Sequence, residues 1–237
     1  MAKYYYHKRS SKAFRKILAL GIIFLGIIIS GYVFFPLLSW QIYFAPVFAS
    51  QNIEVPIPKT TVITGGTFTN LLGNAGRALT TDLTQAGNWY PNFASAQGSQ
   101  AKTYSISIPK IGLKDAVVTN SNGDLSKQLV QFNTDTIPPH NGNTIIFGHS
   151  TLPQLFNPKD YKTIFANLYK LGPSDLIEVK IDNVEYIYRV QSVIVVEPED
   201  TSVLSQNFGD SYITLITCTP PGTIWKRLII KAKLEKI

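Results

Sequence analysis

Leu176-Ile177-Glu178-Val179-Lys180-Ile181, then Asp182-Asn183, then the unbroken run Val184 to Val196: this stretch decides the fold class. Two β-type runs meet at a dipeptide that signals a turn, the arrangement of a strand, a tight connection and a longer strand. The same texture extends outward in both directions. Upstream, Tyr104-Ser105-Ile106-Ser107-Ile108 alternates strictly until Pro109 breaks it, and Ala116-Val117-Val118 and Thr144-Ile145-Ile146-Phe147 are further strands. Downstream, Tyr212 to Thr217 and Leu228 to Leu234 close the chain. Seven or eight short strands in about 135 residues predict an all-β sandwich or barrel over 103–237. Only Tyr161 to Leu171 reads as helical.

The segment before this domain is of two kinds. Residues 39–102 hold few charges, only Arg77 and Asp82 between Thr60 and Gln100, and are rich in Thr, Gly, Asn, Ala and Gln. They read as a stalk or linker, with Leu71, Leu72, Ala75, Leu79 and Leu83 as the apolar face of one short helix, interrupted by Gly73 and Gly76, that packs on the domain. Residues 17–38, ILALGIIFLGIIISGYVFFPLL, form 22 residues without a charge. At about 1.5 Å per residue, a helix of that length crosses a hydrocarbon core of about 30 Å. Trp40, Tyr43 and Phe44 follow as an interfacial aromatic belt.

The net charge of +7 is concentrated at one end. Lys3, Lys8, Arg9, Lys12, Arg15 and Lys16 supply six of those charges within residues 1–16, and the remaining 16 bases and 15 acids nearly cancel. A nucleic-acid binder carries its charge over a folded face, so no nucleic-acid partner is expected. The positive-inside rule instead places 1–16 as a cytoplasmic tail and everything after about residue 40 outside. A cleaved signal peptide ending near Val47-Phe48-Ala49 is the competing reading. The apolar core exceeds the usual 7–15 residues of such a signal, so an uncleaved signal anchor in the lipid membrane is expected.

Cys218 is the only cysteine, in a region expected to face an oxidising space. It has no partner for an internal disulfide, which leaves a buried small hydrophobe or a working thiol. It ends the strand Ile213 to Thr217 and precedes the turn Thr219-Pro220-Pro221-Gly222, and strand ends facing loops are where catalytic side chains collect. A thiol with a pKa near 8.5 needs a histidine or a fixed cation to act at neutral pH. Of the three histidines, His7 lies in the basic tail, His140 in a Pro- and Asn-rich turn, and His149 at the end of the strand Thr144 to Phe147. Arg227, nine residues past Cys218, opens the terminal strand. A hairpin between the last two strands sets it beside Cys218, where a guanidinium stabilises a thiolate or an oxyanion. Taken alone, Arg227 also reads as a surface charge on a strand.

Together, Thr214-Leu215-Ile216-Thr217-Cys218, Thr219-Pro220-Pro221-Gly222 and Arg227 resemble the active-site signature of the sortase family, a TLxTC strand end with an arginine on the next strand. Asn143 to His149 resembles the family's segment ending in Gly-His, and Ile108-Pro109-Lys110-Ile111-Gly112 its first core strand. The resemblance covers about residues 103–237. It implies an eight-stranded β-barrel cysteine transpeptidase with one or two short helices, anchored outside a bacterial membrane. Position by position, it makes Cys218 the nucleophile, His149 the proton-transfer residue and Arg227 the electrostatic stabiliser, with Thr217 a candidate substrate contact. The substrates it implies are proteins with a C-terminal LPxTG-like sorting signal, cut between Thr and Gly, and an amine acceptor in the cell envelope or on a protein lysine.

The sequence departs from parts of the family. Asn88-Trp89-Tyr90-Pro91 stands where some pilus-building relatives have an Asp-Pro-Trp-type lid, Ser150 follows Gly148-His149 where many have arginine, and Ile237 ends the chain without a second membrane helix. A surface-anchoring or specialised role is therefore expected rather than pilus polymerisation, with no lid. Glu197, Pro198, Glu199, Asp200 and Thr201 form an acidic loop expected to bear on specificity, with a basic residue of the signal or a cation as what its charges would hold, or to be solvated turn charges. No ligand spacing for a metal and no phosphate loop is present, so no cofactor is expected. Two alternatives stay open: a non-catalytic tethered binding barrel, and a hydrolase that resolves the same thioacyl intermediate with water.

Overall fold

The structure, a computed structural model, describes residues 12–39, 81–90, 102–132 and 136–235. From Thr103 onward the chain forms eight strands: β1 (Thr103–Ile108), β2 (Leu113–Thr119), β3 (Leu129–Gln131), β4 (Gly142–Phe147), β5 (Leu176–Ile181), β6 (Val184–Val196), β7 (Ser211–Thr219) and β8 (Lys226–Leu234). They close into a barrel in the order β1-β2-β3-β4-β7-β8-β6-β5, with β5 returning to β1. Of the two all-β architectures the sequence allowed, the barrel is the one formed, and closure leaves no strand edge unpaired. Most neighbours are antiparallel; β2 with β3 and β4 with β7 are parallel.

The β5–β6 hairpin forms with the bounds that its sequence gives. Ile181 faces Val184, and the two residues between them, Asp182 (φ 50°) and Asn183 (φ 64°), both take the left-handed conformation of a two-residue hairpin turn. Their short polar side chains tolerate that conformation better than branched ones would. Further along, β6 carries a bulge against β8 between Val190 and Ser192. The extra residue changes which parity faces inward: Tyr188 and Val190 before it, Val193 and Val195 after it, belong to one apolar cluster.

That cluster fills the barrel, with Ile106, Leu129, Ile146, Leu215 and Ile230 among its fully buried members. A second cluster lies on the outer face of β4, β7 and β8, where Ile145, Phe147, Ile216, Cys218 and Ile229 pack against Ala86, Trp89 and Tyr90. Successive strand residues alternate faces, so Ile213 and Leu215 serve the first cluster while Ile216 and Cys218 serve the second.

One expectation needs correction. Tyr161 to Leu171 is not an α-helix: it is a run of turns ending in the single 3-10 turn Leu168–Lys170. Local side chains compete for its backbone. The Thr163 hydroxyl donates to the carbonyls of Asn157 and Asp160 at 3.0 and 3.1 Å, and the Phe165 N–H is given to the His149 carbonyl at 2.9 Å. Residues 39–102 read as a stalk with one short helix packed on the domain. Within them, 81–90 packs onto the barrel: Ala86 N–H donates to the Gly123 carbonyl at 2.9 Å, and Leu125 N–H to the Thr84 carbonyl at 2.8 Å. The expected helical face is represented there by Leu83 alone, since Leu71 to Leu79 lie outside the described residues.

At the N-terminus, α1 (Lys12–Ser39) spans the apolar segment expected at 17–38. Its stretch Phe14–Tyr32 has a mean hydropathy of 2.0, long and apolar enough to cross a membrane. Large side chains such as Ile17, Phe24, Leu25 and Ile28 are exposed along it, which is stable in lipid and not in water.

Candidate active site

Cys218 and Arg227 are direct partners across the β7–β8 pair. Their side chains therefore stand on the same face, the outer one, and both are buried: Cys218 is 7% exposed and Arg227 4%. Arg227 is therefore not the surface charge that it also reads as when taken alone. Arg227 Nη1 donates to the carbonyls of Ile224 at 3.0 Å and Lys226 at 3.3 Å, while its Nε is buried without a hydrogen-bond partner. Among the described residues, none of the ion pairs involves it. A buried guanidinium with an unused donor costs stability unless something anionic visits it.

β4 lies beside β7 on the other flank, in parallel register up to Phe147 opposite Ile216. His149 comes two residues later and is half-buried at the same end of the barrel as Cys218. Gly148 between them has no room for a side chain, because a Cβ there meets Phe165 at 2.5 Å and Leu129 at 2.6 Å. His140, in the turn that precedes β4, is exposed.

Thr217 stands apart from these three. Alternation turns its side chain to the face opposite Cys218, where it is buried and its hydroxyl donates to the Gly148 carbonyl at 2.7 Å. The acidic loop is also partly committed: Glu197 pairs with Lys226 at 2.7 Å, and the Asp200 carboxylate caps the 3-10 turn Thr201–Leu204 by accepting from Ser202 N–H. Among the described residues no three His, Cys, Asp or Glu side chains come together as a metal-binding group.

What the sequence did not foretell is the cover. Trp89 is 3% exposed and sits between the polar groups, its ring 6.1 Å from that of His149 and 5.1 Å from the Arg227 guanidinium carbon. It also stacks on Phe147 at 5.2 Å, and its indole N–H donates to the Leu83 carbonyl at 2.9 Å. Although no lid was expected, Asn88-Trp89-Tyr90 covers this site. The only sequence signal was an adjacent pair of large aromatics in an otherwise small and polar segment.

Burial sets the ionisation. It pushes the Cys218 thiol above its ordinary 9.0, with Arg227 pulling the other way, and it pushes His149 below its ordinary 6.5, opposed by Asp124. Burial therefore disfavours both the thiolate and the imidazolium in the covered site.

Trp89→Ala is expected to raise the rate of Cys218 alkylation by iodoacetamide at pH 7 by about tenfold, the factor that about 1.4 kcal/mol of lost cover represents. The sign with pH follows from the raised thiol: uncovering lowers its pKa, so the gain is full at neutrality and shrinks only once the pH has passed the raised wild-type value, where both proteins are thiolate. Alkylation that is equally slow in both proteins at pH 7 would mean that Trp89 does not guard the thiol.

Residues 106–235 match the sortase domain family. The chain belongs to the sortase family. A relative is sortase D of Bacillus subtilis (strain 168), 22% identical over 224 residues that cover 92% of this chain and 98% of the relative. Sortase C-1 of Actinomyces oris has a similar fold at 21% identity and a TM-score of 0.50, over 72% of this chain and 99% of that one. So does a pilus-related sortase C of Group B Streptococcus, at 23% identity and a TM-score of 0.50 over 71% and 91% of the two chains. Membership makes the protein a cysteine transpeptidase of the sortase type, with sorting-signal proteins as substrates and amines as acceptors.

Proposed function

We propose that this sortase cleaves an LPxTG-like signal between Thr and Gly at Cys218 and transfers the acyl group to an amine, attaching surface proteins to the cell envelope. One observation carries the reading: Cys218 and Arg227 face each other across β7 and β8 on a buried outer face, at the end of the barrel where β4 delivers His149.

In this mechanism the Cys218 Sγ attacks the carbonyl carbon of the Thr–Gly bond, and its proton passes to His149. The oxyanion forms beside the Arg227 guanidinium, whose unpaired Nε is available to it. Collapse breaks the C–N bond, His149 gives its proton to the departing glycine amine, and a thioacyl-enzyme remains. An incoming amine attacks the thioester as it loses a proton to His149, the C–S bond breaks, and that proton passes to the released Cys218 thiolate. The imidazole is neutral in the resting state, as a proton acceptor has to be. Burial disfavours the thiolate–imidazolium pair before substrate arrives. Thr217 serves this chemistry by holding Gly148 rather than by touching substrate.

In the same reading 17–38 is the membrane anchor, 1–16 stays in the cytoplasm and the barrel works outside, where protease added to intact cells reaches it. The test of function is the full-length protein in detergent with a library of LPxTG-type peptides and hydroxylamine. Peptides cut after Thr as hydroxamates are expected; free acids alone would favour hydrolysis, and no cleavage at all would contradict the reading.

A further inference from the structure

Main-chain pairing between β4 and β7 stops at Phe147 opposite Ile216. The two segments nevertheless have to stay in step for two or three residues more, because His149 and Cys218 come after that point. Gly148 N–H still reaches the Ile216 carbonyl, at 3.2 Å. Beyond it, two side-chain hydroxyls continue the ladder. The Thr217 hydroxyl donates to the Gly148 carbonyl at 2.7 Å, and the Ser150 hydroxyl donates to the Cys218 carbonyl at 2.7 Å. His149 is thus flanked, one residue to either side, by hydroxyl bonds that run in opposite directions between its loop and the cysteine strand. Its own carbonyl is held from behind by Phe165 N–H at 2.9 Å.

We propose that Ser150 is a positioning residue for the transfer reaction: its bond to the Cys218 carbonyl fixes the loop of His149 against the strand end of the nucleophile. The proposal rests on the reading of Cys218 and His149 as the working pair. An apolar contact supports the same docking two residues on, where Leu152 packs so closely on Gly222 (φ 76°) that a Cβ there would lie 3.1 Å from Leu152 Cδ2. Ser150 and Leu152 thus seat the loop after His149 on the loop after Cys218. Thr217 is fully enclosed, whereas Ser150 is half-buried, and its bond is the one made to the nucleophile's own carbonyl. Without that bond the loop keeps its hold on Gly148 but gains freedom on the far side of the imidazole.

The test uses full-length protein in detergent with a sorting-signal peptide and an amine. Ser150→Ala is expected to lower kcat by about tenfold to a hundredfold, the cost of roughly 1 Å of misplacement between reacting groups, while KM changes little. Ser150→Thr restores the hydroxyl and is expected to recover most of kcat. A Ser150→Ala enzyme with unchanged kcat, or a loss that Ser150→Thr does not recover, overturns the proposal.

A second arm needs no substrate. Cys218 alkylation is followed against pH, with Asp124, Asp82 and Lys162, whose charges also reach His149, left in place. The inflection due to His149 is expected to weaken in Ser150→Ala, and an unaltered profile contradicts the assignment. If wild-type protein transfers nothing to any amine, it is the functional reading that fails, and the alkylation arm still decides the role of Ser150.

Discussion

Cys218→Ala is expected to abolish acyl transfer, with a loss on the order of 10⁶ in kcat, the scale reached when the nucleophile of an acyl-transfer enzyme is removed. No other thiol exists in the chain to substitute for it. The fold should be untouched. Cys218 is one small member of an apolar cluster with Ile216 and Ile229, and losing its sulfur leaves a void worth about 1 kcal/mol in that wall. Initial rates and circular dichroism on the two proteins, measured side by side, check both halves. A variant with more than about a thousandth of the wild-type rate would mean that the covalent step runs elsewhere.

The second large effect belongs to His149. His149→Ala is expected to cost about 10²- to 10⁴-fold in rate, the usual worth of a positioned proton-transfer group. His140→Ala is expected to stay close to wild type. The two histidines bracket β4, so about 20 Å of strand separates them at roughly 3.3 Å per residue, and only the second lies at the end that holds Cys218. Burial keeps His149 below its ordinary 6.5. The rate of the wild-type enzyme should therefore hold as pH falls through 6.5 and decline only at lower pH, where the imidazole becomes protonated. The opposite ranking of the two variants, with His140 the costly one, would reverse the assignment.

The two features that decided this reading were visible in the chain because each is a local pattern. Strands β5 and β6 announce themselves through a charged turn between long β-type runs, and the turn residues Asp182 and Asn183 take the backbone conformation their chemistry favours. Cys218 and Arg227 could be paired because a hairpin fixes its register from its own turn. What the sequence concealed depends on contacts made at a distance. β3 is only three residues long and buried throughout, so it shows no alternation. The turns at 161–167 displace a helix because Phe165 bonds to His149, 16 positions away. Segment 81–90 has no strand period and no strong helix period, and its place is set by Trp89 filling the gap between His149 and Arg227. Ser150 belongs to no pattern of its own, and only the position of the Cys218 carbonyl gives its hydroxyl a purpose.

The most direct test of the account is the intact mass of the full-length protein after brief mixing with an LPxTG-type peptide and no added amine. The account predicts a mass increase equal to the peptide acyl fragment ending in Thr, located on Cys218, absent from Cys218→Ala and removed by hydroxylamine. An adduct on another residue, or cleavage of the peptide with no adduct at any time while Cys218→Ala cleaves equally well, would contradict it.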